Sequence, residues 1–132
     1  MIIYQDAKLT LDLFETDQIL FASWPGYENS ADFEFAMQAL LECLQVHSIP
    51  KLLMDARFYQ VTTPVATGWM EDLLNNIFPQ TQLRKIARLS FPDTALENAI
   101  QQVISSNQDQ KFIHFELGTF QEIASAFAWL RR

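Results

Sequence analysis

The sequence predicts an α/β fold: a mixed, largely parallel sheet of about five strands with four helices mainly on one face. Three observations lead to this prediction. Short apolar or alternating segments typical of strands recur along the 132 residues, and segments with a helical apolar stripe stand between them. Strands that alternate with helices imply right-handed crossovers and therefore parallel pairing. One turn-prone segment near the start indicates an antiparallel hairpin.

The first half of the sequence predicts a hairpin, a helix and a buried strand. Residues 9–13 alternate between leucine and polar residues, and the extended segment 19–24 follows after a turn. Residues 30–47 carry an apolar stripe at helical spacing, and Ser30 is a favourable N-cap for this helix. The mostly apolar run 51–56 is typical of a strand at the centre of a sheet.

The third quarter predicts two further helices around one strand. Thr63 followed by Pro64 indicates a helix start, a cap and then a first-turn proline. Residues 85–90 form the next predicted strand. Thr94 with Glu97 three residues later makes a capping box, which predicts that another helix begins there.

The end of the sequence predicts a strand, a tight turn and a closing helix. Residues 105–109 are interpreted as a loop, and residues 112–117 alternate with the period of a strand. Gly118 is expected to break this strand. Thr119 and Glu122 form a second capping box, which predicts the start of the last helix.

Composition indicates one domain that covers residues 1–132 and has a substantial core, since 49% of the residues are hydrophobic. The net charge is −7, and residues 1–50 hold eight acidic residues against a single lysine. Such a chain lacks the basic surface that binding to nucleic acid or to an anionic membrane requires. Arg84, Lys85 and Arg88 are the one basic cluster, which we interpret as a solvated strand edge.

Location is predicted from the start of the chain and from its cysteine content. No apolar run approaches the length of about 20 residues that crosses a bilayer, so no stable membrane insertion is expected. Residues 1–6 lack the features of a signal peptide, and the single cysteine, Cys43, allows no internal disulfide. A cytoplasmic location is therefore expected.

Two short segments resemble the SpoIIAA-like proteins, which are small bacterial relatives of the STAS domain. They are the strand Leu52-Leu-Met-Asp55 and the ending that runs from Phe112-Ile-His-Phe-Glu116 to Ala126-Phe-Ala-Trp-Leu130, within a resemblance over residues 18–131. The resemblance implies a single SpoIIAA-like domain, similar in fold to CRAL-TRIO lipid carriers. It also implies a binding or regulatory module, and a small apolar ligand.

The same resemblance raises the alternative of a phosphorylation switch. Regulatory STAS proteins carry a phosphorylated serine in an Asp-Ser pair where the helix after the central strand begins. This sequence departs from that pattern, because residues 60–64 contain no Asp-Ser pair. Thr62 and Thr63 are the possible phosphate acceptors, since a helix N-terminus favours an anion. The simpler interpretation, which we favour, is that Thr63 caps the helix.

Candidate binding residues cluster after the central strand. Asp55 ends that strand at the carboxyl edge, where open parallel sheets bind ligands, and Arg57 follows two residues later. The two either orient the polar head of a ligand, or cap the neighbouring helix and pair with each other, which is the interpretation we favour. Phe58 and Tyr59 lie in a connecting loop with no evident core role, so they are candidate walls of a pocket. The predicted ligand- or partner-binding residues are Asp55, Arg57, Phe58, Tyr59, Thr62, Thr63 and Trp69.

Catalytic chemistry has little support in the sequence. The few histidine and cysteine residues form no recognisable metal site, no cofactor motif is present, and no catalytic residue is predicted. The leading prediction is a non-enzymatic cytoplasmic module that binds a partner protein or a small apolar ligand. The alternatives are a phospho-regulated anti-sigma-factor antagonist with a threonine acceptor, and a small enzyme that uses Asp55, Arg57 and His114. A homodimer is also expected, because one sheet face would otherwise stay bare.

Overall fold

The computed structural model describes residues 1–24, 30–57, 62–108 and 114–132, and these form a six-stranded sheet with four helices. The strands are β1 (Ile2–Gln5), β2 (Thr10–Phe14), β3 (Ile19–Ser23), β4 (Lys51–Asp55), β5 (Lys85–Leu89) and β6 (Glu116–Phe120). The helices are α1 (Ser30–His47), α2 (Thr63–Asp72), α3 (Thr94–Gln108) and α4 (Ile123–Arg131). After α2 the chain continues as a π-helical turn, Leu73–Ile77, and a 3-10 turn, Phe78–Gln80.

The strands lie across the sheet in the order of the sequence. β1, β2 and β3 are antiparallel neighbours, whereas β3, β4, β5 and β6 are parallel. The predicted hairpin is confirmed, since Leu11 lies opposite Ala22 and Leu13 opposite Leu20. The predicted α/β class with a mixed, largely parallel sheet is also confirmed.

The helices divide unequally between the two sheet faces. Leu20, Leu52 and Ile86 point to one face, where they share a core with α1, α2 and α3. The residues next to them in each strand point to the other face, where they pack on α4. This second core contains Ile19, Leu53, Ala87, Leu89, Ala126, Phe127 and Leu130. Below, the first is the three-helix face and the second the α4 face.

β1 is the strand that the prediction of about five strands lacked. It pairs with β2 through Tyr4 opposite Leu11, and a side-chain turn connects the two strands. In that turn Asp6 Oδ1 accepts from the backbone N–H of Lys8 at 2.7 Å and of Leu9 at 2.9 Å. The hydroxyl of Tyr4 donates to the same carboxylate, and this bond raises the pKa of Tyr4 to about 12. An aspartate side chain that accepts a hydrogen bond from the backbone two residues later forms an Asx-turn, which is a common turn signal.

The C-terminal prediction was wrong in register. β6 contains Gly118 and Thr119, which the prediction assigned to a strand break and a helix cap, while residues 112 and 113 lie outside the described ranges. A Cβ on Gly118 would stand 2.8 Å from the Phe120 ring, so this glycine makes room for an aromatic ring instead of a turn. α4 begins at Ile123 after an extended Glu122 that makes no side-chain cap bond, and the second capping box is therefore absent.

Helix starts also differ from the predicted caps. α2 begins at Thr63 as predicted, but Thr62 holds the N-cap position and makes no side-chain cap bond, so the interpretation of Thr63 as a cap was wrong. Before α3, Asp93 Oδ1 accepts from the N–H of Leu96 at 2.9 Å, which is the capping bond expected one residue later. α3 extends to Gln108, so the predicted loop 105–109 is helical as far as residue 108.

α4 covers part of the face that the homodimer prediction assumed to be bare. Phe127 contacts the rings of Phe14 and Phe21, at centroid distances of 5.0 and 6.0 Å. A homodimer stays a prediction. Among the described residues, no helix is both long enough and apolar enough to cross a membrane.

Candidate functional site

Asp55 and Arg57 form an ion pair at the carboxyl end of β4. Arg57 Nε donates to Asp55 Oδ1 at 3.0 Å and Nη2 donates to Oδ2 at 3.2 Å, a two-point contact. Arg57 Nη1 also reaches the backbone oxygen of Gln121 at 3.4 Å. Of the two alternatives stated for this pair, the structure contains mutual pairing. The bond to Gln121 connects the end of β4 to the segment before α4.

The two candidate threonines lie exposed at the start of α2. The backbone oxygen of Thr62 accepts from the N–H of Ala66 at 3.0 Å, and the backbone oxygen of Thr63 accepts from the Thr67 hydroxyl at 3.1 Å. Their contribution to the helix start is therefore made by the backbone. Phe58 and Tyr59 lie outside the described residues.

Trp69 takes part in an aromatic stack at the mouth of an apolar cavity. Its ring lies parallel to that of Phe33, with centroids 4.6 Å apart and an interplanar angle of 4°, and the stack bridges α1 and α2. Beneath it is a cavity of about 70 Å³ on the three-helix face. The lining residues are Trp24, Phe33, Met37, Met54, Ala56, Ala66, Trp69, Met70, Leu73, Arg88, Leu89, Phe91 and Ile100.

The cavity lies beside two contacts that join α1 to the unit formed by α2 and the turns after it. At one end Gln45 Nε2 donates to Gln80 O at 3.1 Å, and at the other Phe33 stacks on Trp69. Aromatic and methionine side chains fill the space between incompletely, and methionine adapts readily to irregular space. A π-helical turn follows α2 directly, and such turns are frequent near functional sites.

Arg88, which lines the cavity, belongs to an ion pair. Arg88 is 3% exposed and makes two bonds to Glu97 of α3, at 2.7 and 2.8 Å. Glu97 also accepts from the N–H of Phe91 at 3.2 Å and from Gln101 Nε2 at 2.8 Å. Burial alone would raise the pKa of Glu97, but the bonds from Arg88 and Gln101 outweigh it, so that pKa lies below its usual range.

Arg88 corrects the interpretation of the basic cluster as a solvated strand edge. Lys85 Nζ likewise donates to the backbone oxygens of Trp129 and Arg132 at 3.0 and 2.8 Å, whereas Arg84 is exposed. The sequence held a signal for Arg88, because it stands between Ala87 and Leu89 in a central strand. A cation at such a position needs a buried partner.

A polar depression adjoins the apolar cavity at the carboxyl ends of β5 and β6. It measures about 680 Å³, and Phe91 lines both spaces. The lining residues are Arg57, Ser90, Phe91, Pro92, Thr94, Glu97, Asn98, Gln101, Thr119, Phe120 and Gln121. Apart from Arg57, the sequence did not indicate these residues, because isolated polar side chains on a helix and in loops carry no motif.

His114 lies at the opposite edge of the sheet from Asp55 and Arg57. It precedes β6, and its Nε2 is 3.1 Å from the backbone oxygen of Thr81. The three residues of the enzyme hypothesis therefore do not meet in one cleft. Within the described ranges, no group of three or more histidine, cysteine or acidic side chains is arranged to hold a metal ion.

Comparisons with protein-family models, with curated proteins and with solved structures find no match to this chain. The resemblance to SpoIIAA-like proteins stays a prediction.

Proposed function

We propose that this chain is a non-enzymatic binding module, and that the cavity beneath the Phe33–Trp69 stack binds a small apolar ligand. The observation that carries the proposal is the chemistry of the cavity wall. Aromatic, aliphatic and thioether groups form nearly all of it, and the one charged residue, Arg88, is neutralised by Glu97. A concave apolar site at the carboxyl edge of a parallel sheet is a usual place for a ligand.

The position of the cavity favours a small ligand over a partner protein. The lining residues Phe33, Met37, Met54 and Met70 are all at most 7% exposed, so a flat protein surface would not reach them. A ligand would displace little ordered water, because apolar cavities of this kind tend to stay dry.

The volume limits the size of the ligand. An engineered apolar cavity of about 150 Å³ binds benzene or xenon, and that is about twice the 70 Å³ present here. The site as it stands takes a group of a few heavy atoms. A larger group requires Met37 or Met70 to change rotamer, which the flexible methionine side chain allows at low cost.

Methyl NMR of methionine tests the proposal with a built-in control. The chain has four methionines, of which Met37, Met54 and Met70 line the cavity, while Met1 is 65% exposed. Under xenon pressure we expect the three cavity methyl signals to shift with saturation and the Met1 signal to stay in place. Four signals that respond alike, or not at all, would remove the basis of the proposal.

A cavity-filling variant sharpens the experiment. Ala66 is 5% exposed and its methyl group faces the cavity, so Ala66→Leu is expected to abolish the xenon shifts without lowering the unfolding free energy. Ala124→Leu, at an exposed position of α4, is the matched control and should keep the shifts. A variant at position 66 that folds and still responds to xenon would contradict the assignment.

The SpoIIAA-like resemblance of residues 52–55 and 112–130 supports a binding role, and membership of that family is part of this proposal. So are a cytoplasmic location and a homodimer. Sedimentation at micromolar concentration tests the dimer, which a monomer at every concentration would exclude. The similarity of such domains to CRAL-TRIO carriers favours the same class of ligand, an apolar small molecule.

Phosphorylation at the start of α2 is the second candidate function. Thr62 and Thr63 are exposed, and their hydroxyls make no cap bond, so both are open to a kinase. A phosphate there would interact favourably with the helix N-terminus. Intact-mass analysis of protein from its own cells is expected to find an added phosphate that the double change to valine removes. Unmodified protein under all growth conditions would dispose of the switch.

A further inference from the structure

The apolar cavity and the polar depression share a wall. Phe91 lines both spaces, Arg88 lines the cavity, and its partner Glu97 lines the depression. Both spaces are partly open to solvent and adjoin at Phe91, so a ligand that lies across Phe91 would have an apolar end in one and a polar end in the other. The chemistry of the depression then determines which polar end fits.

The charges that line the depression are already neutralised within the protein. Glu97 receives two bonds from Arg88 and one each from Gln101 and the Phe91 N–H, so both of its oxygens are engaged. Arg57 is held by the carboxylate of Asp55. A charged head group would find no unpaired counter-charge in the depression, so the part of its hydration that it loses on binding is not compensated by a new ion pair.

The N-terminus of α3 also offers little to an anion. Asp93 Oδ1 accepts the N–H of Leu96, so a carboxylate already occupies that end of the helix. A cation would find the nearby carboxylates of Asp55 and Glu97 already engaged by arginines. Both signs of charge are thus disfavoured in the depression.

Uncharged hydrogen-bonding groups remain exposed there. Within the described part of the chain, the side-chain amide of Asn98 and the hydroxyl of Thr94 make no hydrogen bond to protein, and both residues are exposed. The Gln101 amide nitrogen is committed to Glu97 and, at 2.9 Å, to Thr119 Oγ1, which leaves its carbonyl oxygen as an acceptor. These groups match a ligand that both donates and accepts, such as an amide or an alcohol.

We propose that the ligand is an amphiphile with a short apolar end in the cavity and an uncharged hydrogen-bonding head in the depression beside Asn98 and Gln101. This inference rests on the proposed function, because it assigns the apolar end to the same cavity. It adds the class of the head group, a carboxamide or hydroxyl, and excludes carboxylates and amines.

Three compounds with the same four-carbon chain and different head groups test the assignment of the head group. Butanamide, butanoate and butylammonium are titrated into protein with labelled methionine methyls and side-chain amides, at neutral pH and constant ionic strength. We expect butanamide to bind at least tenfold more tightly than either charged compound. It should shift the cavity methyl signals and the amide signals of Asn98 and Gln101 together.

The outcomes separate the two proposals. If the methionine signals respond to xenon but the three compounds bind equally, or a charged one binds best, the head-group assignment is wrong and the apolar site stands. If butanamide shifts the methionine signals without those of Asn98 and Gln101, the head lies elsewhere and the inference is overturned. If xenon has no effect on the methionines, both proposals fail.

Asn98→Ala tests the head contact without touching the buried network. Loss of one hydrogen bond is expected to weaken butanamide binding about fivefold, while the xenon shifts of the methionines stay unchanged. Gln102→Ala, at an exposed position of the same helix outside the depression, is the matched control and should bind as the parent chain does. Equal binding by the two variants would contradict the inference.

Discussion

The two faces of the sheet differ in how closely their helices pack. On the α4 face, Ala126 and Leu130 are fully buried, and Gly118 lets the Phe120 ring lie against Trp129 with centroids 5.4 Å apart. On the three-helix face, the Phe33–Trp69 stack bridges α1 and α2, and a cavity remains beside it. The α4 face is closely packed, whereas the three-helix face contains a cavity.

This difference is consistent with the proposal that the three-helix face binds the ligand. A face built only for stability has no reason to retain a cavity, because unfilled space costs free energy. The three-helix face also contains the buried Arg88–Glu97 pair, and replacing such pairs by apolar residues often costs nothing. We infer that both features are kept for binding, and four predictions test whether the faces differ in this way.

The largest expected effect comes from breaking the buried ion pair. Arg88→Met leaves the Glu97 carboxylate without its counter-charge. Because the Glu97 side chain is only 16% exposed, we expect a loss of about 3–5 kcal/mol in unfolding free energy. Urea denaturation measures it. Arg84→Met, at an exposed neighbouring position, should change stability by less than about 0.5 kcal/mol. A loss below about 1 kcal/mol for Arg88→Met would mean that the pair is not a structural element.

The pair also predicts how stability depends on pH. The folded pKa of Glu97 lies below the ordinary value of 4.5, so this carboxylate contributes stability above that pH and loses it as the pH falls through its folded pKa. As the pH is lowered, we expect the urea midpoint to fall, and to fall less in Arg88→Met than in the parent chain. Identical acid limbs in the two proteins would assign the decline to other carboxylates.

A methyl group on the close-packed α4 face should destabilise the fold. In Gly118→Ala the new Cβ would lie 2.8 Å from Phe120 Cε2 and 3.4 Å from Trp129 Cη2, so the rings must move. We expect a cost of about 1–3 kcal/mol, measured by thermal or urea unfolding. Unchanged stability would show that this face accommodates extra volume, against the comparison drawn above.

The smallest expected effect has the opposite sign and comes from the other glycine in the described part of a helix or strand. Gly68 lies in α2, and a Cβ there would meet nothing within 4 Å. Gly68→Ala is therefore expected to stabilise the protein by about 0.5–1 kcal/mol, because alanine loses less backbone freedom on folding. Destabilisation would indicate that α2 is strained near its π-helical turn.

The sequence predicted the elements whose patterns are long and regular. α1 and the hairpin of β2 and β3 follow from an unbroken apolar stripe and a strict alternation. Gly118 misled the prediction of β6, because glycine is the usual mark of a turn and only the position of Phe120 shows why it stands in a strand. A contact between side chains cannot be read from local spacing.

Only part of the site could be predicted, because it too depends on contacts between side chains that are distant in sequence. Trp69 was among the predicted site residues and it lines the cavity, whereas its partner Phe33 had the pattern of an ordinary core residue. Glu97 looked like half of a capping box, since its place three residues after a threonine fits that motif equally well. Its bond to Arg88 depends on how β5 and α3 pack, which the sequence does not state directly.

A crystal structure under xenon pressure tests the central claim most directly, because it examines both faces of the sheet at once. We predict a xenon atom in the cavity beneath Phe33 and Trp69, among the methyl groups of Met37, Met54 and Met70, and none between α4 and the sheet. An empty or collapsed cavity, or xenon bound only on the α4 face, would contradict the assignment of binding to the three-helix face.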